Sequence, residues 1–160
     1  MRLAVAARQR GGALALSMSM MVLGFGCDST PPGGPNSFTE VYTQIIQPTC
    51  SNDFCHYQNV GIRYSALDMS TQVSAYWSLV DQLCAGAACS GMGYRRVIPG
   101  DPADSMLYEK VSQKTPPCGV QMPADIAALQ RGTPQFSGNA LTKDQQSLIS
   151  NWILEGAQDN

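Results

Sequence analysis

Cys50 and Cys55, with His56 directly after, bring together two of the six cysteines and the only histidine of the 160 residues. Two thiols followed at once by an imidazole can fasten a haem covalently: each sulfur adds to a vinyl group, and the imidazole ligates the iron. The usual gap between the cysteines is two residues. Here Ser51, Asn52, Asp53 and Phe54 intervene, so part of that stretch must bulge for both sulfurs to reach fixed vinyl positions. The same thiols have a plainer use, a disulfide from Cys50 to Cys55 over a short loop that leaves His56 idle. A zinc site is the weakest alternative, because it needs four ligands and thiols that stay reduced.

A six-coordinate iron needs a second axial ligand. With no further histidine, that ligand is a methionine, a lysine, a chain terminus or water. Beyond the leader the methionines are Met69, Met92, Met106 and Met122. Met106 falls on the inner side of a helical pattern, Met69 precedes a helix start, and Met92 lies between glycines. Met122 stands in a loop whose backbone is fixed by Pro123, and a neutral thioether favours ferrous iron. Its plain alternative is a methionine on a hydrophobic turn.

The elements that must position these groups are helical. Ser37-Phe38-Thr39-Glu40 is a capping-box pattern, and Phe38, Val41 and Ile45 follow at helical spacing until Pro48, which should stop the helix before Cys50. Ser70 is placed to cap a second helix to about residue 83, with Val73, Tyr76, Trp77, Val80 and Leu83 on its core side. Asp101 and Pro102 supply a cap and a first-turn proline for a third helix through Val111, burying Met106, Leu107 and Val111. Residues 124–140 read as loop with at most one helical turn at 126–129. Thr142 and Gln145 cap the clearest helix, which runs to about Glu155, buries Leu148, Ile149, Trp152 and Ile153, and stops at Gly156. No segment alternates as a strand should, so the pattern predicts an all-α domain of about four helices and long loops. Cys84 and Cys89 flank a loop of small residues, and each has Cys118 or the other as a possible disulfide partner.

Residues 1–26 read as an export signal, with Arg2, Arg8 and Arg10 ahead of an apolar stretch too short and Gly-rich for a good membrane-spanning helix. Leu23-Gly24-Phe25-Gly26-Cys27 looks like a bacterial lipoprotein cleavage box with Cys27 as the lipidated residue, and residues 27–36 form a Pro- and Gly-rich tether. The expected location is therefore a membrane-anchored lipoprotein facing the periplasm or the cell surface. From Cys27 onward seven Lys and Arg stand against twelve Asp and Glu, a net charge of −5. An acidic domain without a basic cluster argues against a nucleic-acid partner. One histidine beside a cysteine, without a serine motif or paired acids, gives a hydrolase nothing to build from.

The order of motifs resembles class I cytochrome c: a helix, the cysteines and His56, small helices, Met122-Pro123 in a loop, then an amphipathic helix with Trp152-Ile153 and Gly156-Ala157. More narrowly, Leu67-Asp68-Met69-Ser70, Arg96-Val97-Ile98-Pro99-Gly100-Asp101-Pro102, Ser105-Met106-Leu107 and Cys118-Gly119 are similar to the cytochrome c-like domains of bacterial cell-envelope lipoproteins. The resemblance spans residues 38–157 within a domain placed at 37–158. It implies one covalent haem c, with Cys50 and Cys55 in thioether bonds, His56 as proximal and Met122 as distal iron ligand, and the first and last helices crossing near the haem. It further implies electron transfer to a redox partner protein in the envelope rather than catalysis. A haem-less, disulfide-held interaction module on the same scaffold is the other function these residues allow. Arg95 or Arg96 has two expected roles, a propionate partner or a solvated surface charge.

Overall fold

A computed structural model of the chain describes residues 34–52, 55–57 and 67–160. The leader, Cys27 and most of the tether lie outside the described residues. The fold is all-α: α1 (Phe38–Val41) runs directly into a π-helical segment (Tyr42–Cys50), followed by α2 (Gln72–Leu79), α3 (Met106–Ser112), α4 (Ile126–Gln130) and α5 (Lys143–Leu154). Among the described residues the only β-type pairings are isolated bridges such as Val80 with Val97.

The core forms where α1 meets α5. Phe38, Val41, Ile45 and Ile46 bury one side of the first helix, and Ile149, Trp152 and Ile153 bury one side of the last, each set at the helical spacing of a core-facing stripe. Phe38 lies 5.0 Å from the Trp152 ring and edge-on to Tyr76 at 5.3 Å, measured between ring centres. Thr142 and Gln145 form the expected capping box, each side chain accepting from the other's backbone N–H at 3.2 and 3.0 Å. At the first helix Ser37 accepts from Glu40 N, but the Glu40 carboxylate reaches back one residue further, to Asn36 N at 3.1 Å.

Several expected features fall elsewhere. Pro48 does not stop the first helix; the segment widens instead, Ser51 N donating to Ile46 O five residues back, and continues to Cys50. The wider turn makes room for a ring that an α-helical turn would press against the carbonyl four residues earlier. The second helix is capped by Thr71, in a box with Ser74, and ends at Leu79. Its buried face is Ala75 and Leu79, with Tyr76 partly buried, and Val73, Trp77 and Leu83 are more than half exposed. Trp77 is therefore not core: once the helix ends four residues early, its stripe has no continuation to pack with.

The third helix starts at Met106 rather than at Asp101. Asp101 caps a separate turn by accepting from Asp104 N at 3.1 Å, and buried Ser105 turns its hydroxyl back to Asp101 O at 2.6 Å. That hydroxyl also accepts from Ile98 N at 2.8 Å, so residues 98–105 close into a compact corner. Gly100 N in this corner donates to Ile153 O at 2.7 Å, docking it on the end of α5. The single helical turn expected near 126–129 is α4, capped by Asp125.

Candidate functional site

Backbone bonds join the two sides of this motif: Cys55 N donates to Asn52 O at 2.9 Å and His56 N to Cys50 O at 3.2 Å. His56 O in turn accepts from Met69 N at 2.7 Å, which ties the turn to the core residue Met69. The four-residue gap thus still brings the backbone of His56 against Cys50. Of the four residues expected to hold the bulge, Asp53 and Phe54 lie outside the described residues.

Cys50, Cys55, His56 and Met122 all line one cavity of about 380 Å³, within the size range of small-molecule sites. Leu107 and Val111 of α3, Leu79 of α2 and Leu129 of α4 supply apolar wall, while Arg96 and Lys110 bring cationic groups to it. Met122 is partly buried against the main core, and its peptide bond to Pro123 is cis. Met69 and Met106 also reach the cavity wall but are buried, and Met92 is exposed in its loop.

The charge states follow from this setting. Burial, with the positive charges of Arg96 and Lys110 behind it, lowers the His56 pKa to about 4, so the imidazole is neutral at physiological pH. Cys50 is partly exposed as a residue, yet burial around its sulfur, with Cys55 adding, pushes the thiol up to about 12. Burial raises the Cys55 thiol too, against a lowering hydrogen bond from Asn52. Both cysteines are free thiols, so no disulfide joins them.

The disulfide is Cys89–Cys118, a link across 29 residues, packed with Met106 in a small second cluster. Cys84 is left as a free thiol; it packs on that cluster and reaches the cavity wall. Arg95 is exposed and donates to Asp81 O, whereas Arg96 is half-buried, donates to Ser78 O and lines the cavity. Of that pair only Arg96 lines this cavity.

Two residues at the cavity escaped the sequence patterns. Lys110 sits next to buried Val111 and three residues after Leu107, so its place on the inner side of α3 was available from helical spacing, but a lysine there reads as solvated. Cys84 looked like a disulfide partner for Cys89. Among the described residues no group of three or more His, Cys, Asp and Glu is placed to hold a metal ion, and no helix is long and apolar enough to cross a membrane. No protein-family model, curated protein or solved structure matches the chain.

Proposed function

We propose that the domain is a monohaem c-type cytochrome-like electron carrier, held by lipid on Cys27 at an envelope membrane and exchanging electrons with a redox partner protein there. The observation that carries this is the convergence of two unpaired thiols, a neutral imidazole and a thioether on one mostly apolar cavity. The donor set fits a haem c: Cys50 and Cys55 to bind it covalently, His56 and Met122 to ligate iron from two separate loops. Bound haem supplies a one-electron ferric–ferrous couple.

The chain's own residues do the rest. Burial keeps His56 unprotonated, the form in which an imidazole ligates a metal. Leu79, Leu107, Val111 and Leu129 exclude water from the cavity, and Arg96 brings a positive charge to a wall where an acidic group needs a partner. With His56 and Met122 both holding the iron, no position would be left open, which would suit electron transfer rather than catalysis. The export signal, the cleavage box and the Pro-rich tether support an envelope location facing the periplasm or the cell surface. The net negative charge favours a basic docking partner.

The test is a reduced, denatured gel stained for haem, using protein made in a host with a c-type maturation system beside a Cys55→Ala variant. Stain that stays with the polypeptide and weakens in the variant is the expected result. No stain, with holocytochrome controls positive, would sink the haem reading and leave the interaction module stapled by Cys89–Cys118.

A further inference from the structure

Lys110 makes an unusual set of bonds for a lysine on a helix. Its ammonium donates to Cys118 O at 2.7 Å and to Val120 O at 3.3 Å, while its own carbonyl accepts from Met122 N at 2.8 Å. Three bonds from one residue therefore hold residues 118, 120 and 122 of a segment that has no regular structure. Gly119 lies between the two carbonyls at φ +65°, and a Cβ there would stand 2.9 Å from the Lys110 nitrogen. The close approach of ammonium to backbone thus needs glycine on two counts, the left-handed conformation and the space. The far end of the segment is fixed as well, since Cys118 is bonded to Cys89.

We infer that Lys110 is a positioning residue, a clamp that transmits the rigidity of α3 to the 118–122 loop and so sets where the Met122 thioether stands on the cavity wall. This builds on the haem reading for its consequence but not for its geometry. The packing of α3 supports it: Met106 and Val111 are buried on either side of Lys110, and the helix packs on α5. An ammonium can satisfy two carbonyls that have strayed from any helix or sheet, which a neutral apolar side chain of the same length cannot. Leaving those carbonyls without a donor frees the loop and, with it, Met122.

Amide hydrogen exchange on the full mature chain, wild type beside K110M, tests the clamp without haem. The Met122 amide should exchange about ten-fold faster or more in K110M, the loss expected when charge-assisted bonds are removed, while α5 amides stay protected. In haem-loaded K110M the covalent stain should remain, but the far-red absorption of methionine-ligated ferric haem should be lost and the reduction potential should fall. Unchanged Met122 protection in folded K110M, or unchanged absorption and potential in the loaded variant, overturns the clamp. Should K110M fail to fold, G119A takes its place: it crowds the ammonium with Lys110 still present, and the same loss of loop protection is expected, its absence overturning the proposal. A wild type that takes up no haem defeats the haem reading alone, since the exchange experiment still decides the role of Lys110.

Discussion

Where α1 meets α5, Phe38, Ile45, Ile149, Trp152 and Ile153 are all but fully buried, and side chains at helical spacing hold one another. Around the cavity, Cys50, His56, Arg96 and Met122 come from loops or helix ends and are only partly buried, and what holds them is a disulfide, a lysine and backbone bonds to carbonyls. The first region is specified by apolar periodicity, which tolerates exchange of one large side chain for another of like volume. The second is specified by individual polar atoms, each with one place to go. Side chains that line a cavity cannot be held by filling it, so order there has to come from such links.

The contrast can be broken from the core side first. Trp152→Ala should cost about 3–5 kcal/mol of stability, the range for deleting a buried aromatic ring, read as a lowered denaturation midpoint; a loss below about 1 kcal/mol would mean the α1–α5 contact is not the main core. Replacing Cys89 and Cys118 by Ser should cost about 3.6 kcal/mol for a closed loop of this length. In that variant α5 amide protection should fall only as far as global stability does, whereas the 118–122 loop should open locally and more.

A third outcome concerns pH. His56 has a pKa of about 4 in the fold against about 6.5 unfolded, so the unfolded chain takes up the proton first. The stability His56 lends the haem-free protein is full above about pH 6.5, declines as pH falls, and is gone near pH 4. The loss should be on the order of 2 kcal/mol, trimmed from the full shift by the partial exposure of the residue. His56→Gln should flatten that part of the profile in urea titrations at a series of pH values. Smallest of all, Trp77→Ala should change stability by no more than about 0.5 kcal/mol, because the indole is 67% exposed; a core-sized loss would place it inside after all.

Trp77 also shows what the sequence could and could not yield. The all-α class, the caps at Ser37 and Thr142 and the buried stripe of α5 were legible because capping boxes and a 3.6-residue period are local signals. Trp77 was misplaced because a stripe is informative only if the helix lasts, and α2 ends at Leu79 where Val80 turns extended. Pro48 was misread for the converse reason, a wider turn that no local rule announces. At the site, Cys50, Cys55, His56 and Met122 were named from residue type and spacing, and the structure brings them to one cavity. The choice of Cys118 over Cys84 as partner for Cys89 depends on how far apart the folded loops lie, and spacing along the chain carries no trace of it.

Asn160 receives Phe38 N on its side-chain oxygen at 3.0 Å, and its carbonyl accepts from Thr39 N and the Thr39 hydroxyl, both at 2.9 Å. The start of α1 and residue 160 are therefore neighbours. A short peptide joining residue 160 to the start of α1 should let the chain be cut elsewhere, for instance at the exposed Gly132 turn after α4, giving a permuted domain with the same core. Any group attached at residue 160 would sit beside the first helix and meet the start of α1.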